Sequence, residues 1–128
     1  MSESSGHEYL RVHQISGDAL LLNITDESRS ILEAARATDA GHTAKTLVKE
    51  GPLRMVILGF TPGSSLREHR AGGPVSIQSL SGAVEVLAQE RSELLSAGEV
   101  LVLASDVPHS VTAKEYSVLL LTIAWAER

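Results

Sequence analysis

Any chemistry in this chain would have to start at His69 and His109. Each histidine lies in one of two similar stretches. The first opens with Thr61-Pro62-Gly63-Ser64, passes through Leu66 to Ala71, turns at Gly72-Gly73-Pro74 and continues as an apolar run to Gly82. The second leads from Leu95-Ser96-Ala97-Gly98 through Glu99 to Leu103 and ends at Asp106-Val107-Pro108-His109. Each stretch combines a glycine turn, a strand and one imidazole, a group that can donate or accept a hydrogen bond, carry a proton near neutral pH or ligate a metal. The chain has no cysteine, which excludes a thiol nucleophile, a disulfide framework and a thiolate metal site.

Two imidazoles are too few for an ordinary zinc site, and a non-haem iron site built on two histidines still needs a carboxylate. The nearest acids are poorly placed. Glu68 adjoins His69, so strand parity turns it to the opposite face, and Asp106 falls in the loop before His109. The pair can therefore be read in two ways: rings hydrogen-bonded to each other, to Gln78 or to ordered water, or a working ligand site. Gln78 is a candidate for that site, although its alternation with Ile77 and Ser79 allows it to point outward. Arg54, Arg67 and Arg70 could hold an anion at the rim or simply keep the surface soluble.

Other motifs are absent. Gly72-Gly73-Pro74 lacks the lysine and helix of a phosphate loop, and Ser64 and Ser65 have no Asp-backed triad or nucleophile turn. His7 and His42 are expected to be solvated, His42 in the loop before the first barrel strand.

The elements that must position the two rings are short strands. From Thr43 onward, apolar runs end at Gly51-Pro52, Pro62-Gly63, Gly72-Gly73-Pro74, Ser81-Gly82 and Ala97-Gly98 with no helix between them, which points to an antiparallel sandwich or barrel. The run from Tyr116 to Trp125 is nearly all apolar. It reads as a central strand with both faces covered, one by the core and the other by the N-terminal segment or a second subunit. Before the strands, Leu20 to Ile24 is expected to be a strand, and Thr25 to cap a helix from about Asp26 to Ala37, with acids in its first turn and Gly41 as the stop. Two segments follow: an N-terminal arm and helix at 1–42 and a barrel at 43–128.

Composition narrows the function. At 128 residues the chain is expected to form a single compact domain burying roughly two-thirds of its unfolded surface. The net charge of −5 and only 3% aromatics leave neither a basic footprint nor a stacking platform for nucleic acid. The first twenty residues lack a signal pattern, and no apolar run reaches the roughly 18 residues of a membrane span, so the expectation is a cytoplasmic protein with no membrane partner.

The order Gly63, His69, Gly82, then Gly98 and Pro108-His109, resembles the two motifs of the cupin superfamily over roughly residues 53–123. Gly73 to Gln78 and Val107 to Val111 resemble the small single-domain bacterial members. The resemblance implies an all-β, double-stranded β-helix, or jelly-roll barrel, here with one short N-terminal helix. It also shows what is missing. A metal-binding cupin carries His-x-His and a following Glu, whereas this chain has Ala71 after His69 and Val75 at the Glu position. The resemblance therefore implies a degenerate metal site and no tightly held cofactor. Under that reading the barrel binds a small organic ligand near His69, His109 and Gln78. The alternative is a metal-dependent enzyme of dioxygenase or isomerase type, in which a divalent metal binds through His69, His109 and a nonstandard third ligand. The apolar strips at Leu20 to Leu22 and Tyr116 to Trp125 lead to a further expectation, a homodimer with residues 8–24 in its interface.

Overall fold

The computed structural model describes residues 18–125. One helix, α1 (Ile24–Arg36), precedes nine strands: β1 (His42–Glu50), β2 (Leu53–Phe60), β3 (Ser65–His69), β4 (Val75–Ser81), β5 (Ala83–Ala88), β6 (Arg91–Ser96), β7 (Val100–Leu103), β8 (His109–Ala113) and β9 (Ser117–Ala124). They form a five-stranded sheet, β1-β2-β9-β4-β7, and a four-stranded sheet, β3-β8-β5-β6. All the ladders are antiparallel. The all-β expectation holds with its single helix, but the sheets face each other as a sandwich, without a ladder closing them into a barrel.

Strand alternation builds the core between the sheets. The larger sheet turns Leu58, Phe60, Val75, Ile77, Leu119 and Ile123 inward, and the smaller one answers with Val84, Val86, Leu95, Val111 and Ala113. A second cluster lies on the other face of the larger sheet, where Ile31 of α1 packs over Leu47, Ile57, Val118 and Leu120. Gly59 makes this approach possible, because a Cβ there would lie 2.7 Å from the carbonyl oxygen of Ile31. The run around Val118 is apolar on both faces for this reason: β9 lies between β2 and β4, with the core inside and the helix outside. Of the two covers the sequence allowed for β9, the chain's own N-terminal segment supplies the one seen here.

Three sequence expectations need correction. Leu20 to Leu22 forms no strand; the segment runs unpaired into the helix, with Leu21 96% exposed. The cap is Asn23, two residues before the expected Thr25: its extended backbone lets Oδ1 accept the Asp26 N–H at 3.0 Å, and Asn outranks Thr in that role. His42 is not in a solvated loop. It opens β1 opposite Phe60, where the two rings stack with centroids 5.9 Å apart and His42 Nδ1 is buried with no hydrogen-bond partner among the described residues. The run that ends at Ala97-Gly98 is two strands, β5 and β6, and the sequence does not divide it because the turn between them is made by Gln89 at φ +56° rather than by glycine or proline. Among the described residues no helix is long and apolar enough to cross a membrane.

Candidate functional site

The two histidines come together at one end of the sandwich because β3 and β8 are neighbours. His69 ends β3, His109 begins β8, and the register pairs them directly. A one-residue slip would separate them, but Leu66 opposite Val111 fixes the register, since both side chains pack in the core. The rings lie 4.2 Å apart between centroids, tilted by 58°. His109 is 2% exposed, and His69 is half-buried.

Each ring is held the same way. His69 Nδ1 is 3.0 Å from the Arg67 carbonyl oxygen, and His109 Nδ1 is 3.0 Å from that of Val107. A carbonyl oxygen can only accept, so both Nδ1 atoms carry the proton, and in the neutral rings both Nε2 atoms are left as lone pairs. His109 Nε2 is buried and finds no hydrogen-bond partner among the described residues. Burying an acceptor unmatched costs about 1–3 kcal/mol, and a metal or a ligand donor would recover part of that cost. Burial pushes the His109 pKa down; the Val107 carbonyl opposes this, and the neighbouring His69 adds to the lowering. His109 is thereby held as a neutral acceptor.

The surroundings are apolar where a metal site would need donors. Val75 is buried in the core, 2% exposed, and Ala71 packs against the same cluster, so both positions face inward without a ligand atom. Glu68 is exposed. Asp106 is exposed too, in the loop before β8, where its N–H bonds to the Ala71 carbonyl at 3.1 Å and ties the two loops at this end together. Among the described residues no group of three or more His, Cys, Asp or Glu side chains could hold a metal ion. The two imidazoles suit a metal in their tautomer and free Nε2, but the donor set is incomplete, so a closed metal centre does not fit these residues.

Gln78 does not join the pair. It stands opposite Val100 and Leu120, on the outer face of β4, while its neighbours Ile77 and Ser79 face inward. The inner-face residue of β2 at the histidine end is Arg54, which pairs with Ile123. Its guanidinium donates to the Gly51 carbonyl at 2.6 Å and lies 5.5 Å from the Trp125 ring centroid. The Trp125 ring in turn covers Gly72, where a Cβ would meet it at 3.3 Å. Trp125 is thus a rim residue that the sequence reading placed only in a strand. The residues of the apolar pattern could not reveal this, since the contact depends on Gly72 having no side chain.

Neither a family model nor a curated protein matches the chain. Solved structures do. A conserved protein of unknown function, SPY1581 from Streptococcus pyogenes, is similar over 91% of this chain and 96% of its own, with a TM-score of 0.70 and 20% identity. An RmlC-like cupin from Desulfovibrio desulfuricans is 28% identical over 73% of this chain and 91% of its own, with a TM-score of 0.65. A salicylate 1,2-dioxygenase from Pseudoaminobacter salicylatoxidans, solved with gentisate, matches 79% of this chain at a TM-score of 0.67 and 23% identity, and the match covers 31% of that longer chain.

Proposed function

We propose that this chain, a small domain with the cupin fold, binds a small organic ligand at the histidine end and recognises it through a hydroxyl or N–H that the ligand donates. The observation that carries the reading is the buried, unpartnered Nε2 of His109 beside the ring of His69. With the His109 Nδ1 proton committed to the Val107 carbonyl, its buried Nε2 presents an acceptor and no donor, so a ligand that only accepts would gain nothing from it. Val75 and Ala71 supply an apolar wall for the ligand body.

A second reading, a divalent metal on His69 and His109 with a nonstandard third ligand, is favoured by the same Nε2 arrangement and opposed by the missing third donor. In that reading the chain would be an enzyme of dioxygenase or isomerase type.

One experiment separates them. The protein is purified without chelator or affinity tag, its metal content is measured, and imidazole nitrogen resonances are followed during titration with phenol, salicylate and glycolate, each of which carries a hydroxyl. A saturable shift at His109 Nε2 in metal-free protein, with the accompanying shift at His69 lost in His109→Ala, supports the ligand reading. Stoichiometric iron, manganese, nickel or zinc that disappears when both histidines are replaced refutes it in favour of the metal.

A further inference from the structure

We infer that the ligand of the histidine end is a small hydroxycarboxylate, whose carboxylate accepts from the Arg54 guanidinium while its hydroxyl donates to His109. This rests on the ligand reading above and adds the ligand's charge to it. Of Arg54, Arg67 and Arg70, the last two are exposed and Arg54 is half-buried. Period two along β2 puts Arg54 in line with Val56, Leu58 and Phe60, which pack in the core, so a cation ends a row of apolar inward-facing side chains. Residues 61–64 connect β2 to β3 and residues 114–116 connect β8 to β9, and connections this short set β3 across the sandwich from β2 and β8 across from β9. Arg54, in register with Ile123 of β9, therefore stands on the wall opposite His69 and His109, with the facing sheets about 10 Å apart. A molecule of a few heavy atoms is long enough to reach from an imidazole on one wall to a guanidinium on the other.

The guanidinium is held in place but not saturated. Nη1 makes both of its hydrogen bonds among the described residues, to the carbonyl oxygens of Gly51 at 2.6 Å and Leu53 at 3.2 Å, which leaves Nη2 and Nε as donors. Among the described residues no carboxylate forms an ion pair with Arg54, although the chain carries a net charge of −5. Its face is covered instead by the Trp125 ring, whose centroid lies 5.5 Å from Cζ, within cation–π range. Trp125 is fixed in turn: its backbone N–H donates to the Pro52 carbonyl at 2.6 Å, and its ring lies over Gly72. A guanidinium with one face on an aromatic ring and one nitrogen on backbone carbonyls keeps its planar fork in one orientation, and the acceptor that matches the remaining edge bidentately is a carboxylate. A single guanidinium balances the one charge of a carboxylate, not the two of a phosphate monoester. Trp125 is the positioning residue of this pair.

The test compares 3-hydroxybenzoate with 3-hydroxybenzamide, and glycolate with glycolamide, by calorimetry on the full chain. Within each pair the hydroxyl is kept and the charge removed. The expected result is an acid bound at least roughly 10-fold more tightly than its amide, a preference that Arg54→Gln abolishes by weakening the acid alone. Trp125→Leu should reduce the preference and Trp125→Phe restore it, whereas Arg67→Gln combined with Arg70→Gln should leave it intact; thermal melting checks that each variant is folded. Acid and amide bound equally by the wild type, both lost in His109→Ala, overturn the inference while the ligand reading stands, and this comparison does not depend on an Arg54 variant that folds. A preference that survives Arg54→Gln, or that disappears with the two exposed arginines, also overturns it. No binding of either member of either pair removes the ligand reading and this inference together.

Discussion

The His109 ring makes a specific claim about stability and pH. In the folded chain its pKa is lowered, chiefly by burial, whereas in the unfolded chain the ring protonates near 6.5. Below that pH the unfolded state binds the extra proton, so the stability tied to the neutral ring is fully present above about 6.5 and is lost as pH falls toward and through the folded pKa. One proton sets the ceiling, a slope of about 1.4 kcal/mol per pH unit. The perturbation is His109→Asn, whose side-chain amide can still donate to the Val107 carbonyl but does not titrate. Truncating the ring costs roughly 1–3 kcal/mol at pH 8 through lost packing, so slopes rather than absolute values are compared. Urea denaturation from pH 8 to 5, at one fixed protein concentration, gives the curves. Between pH 6.5 and 5 the wild type should lose stability more steeply than the variant, by up to one proton. Parallel curves over that range would show that the buried ring takes up its proton as readily folded as unfolded, and the neutral-acceptor account of the site would fall with them.

Three further outcomes are expected. Gly82→Ala should cost more than about 3 kcal/mol, since Gly82 has φ +79° and a Cβ there would overlap the Tyr116 carbonyl oxygen and lie 2.8 Å from Ser117 Cα, whereas Gly51→Ala, with φ +53° and open space around it, should cost about 1 kcal/mol; equal losses in chemical denaturation would contradict the packing. Gly59→Ala should destabilise by about 1–3 kcal/mol and loosen α1, seen as faster amide exchange in the helix than in β4, because the new methyl meets the Ile31 backbone rather than a side chain that can turn away; unchanged exchange would place the helix elsewhere. Ala71→His combined with Val75→Glu should raise zinc affinity by at least roughly 100-fold in calorimetry if these inward-facing positions stand where the lost ligands would be; affinity no better than the parent's would mean that they do not.

Most of the strand framework was legible because alternation and glycine turns are local signals. Phe60, Val75, Ile77 and Leu119 sit where period two places them, and the pairing of His69 with His109 follows once β3 and β8 are neighbours. The boundary of α1 was misread because Asn23 and Thr25 are both good caps, and the sequence does not say which backbone is extended. The turn between β5 and β6 was hidden by Gln89, a residue that takes a left-handed turn without advertising it. The candidate site was legible in its histidines and in the absence of the usual metal donors. What could not be read were the tautomers, fixed by the Arg67 and Val107 carbonyls, and the packing of Trp125 on Gly72, because both depend on chain segments distant in sequence or on backbone direction.

The turns at the two ends of the sandwich differ in a way that bears on how this protein could change. Gly41, Gly63, Gly82 and Gly98, each at φ between +79° and +92°, all lie at the end away from the histidines, where Ser117 Oγ also ties the sheets together through Ala83. At the histidine end the left-handed positions are Gln89, Asp106 and Gly51, and of these Gly51 has no neighbour within 4 Å of a would-be Cβ. Substitutions are therefore constrained at one end, where most residues cannot adopt the required backbone, and tolerated at the other. A library randomised in the loops around Gln89, Ala71 and Asp106 should retain a large folded fraction, while the same diversity at the glycine end should not. Specificity could then drift, or be engineered, at the histidine end while the opposite end preserves the fold.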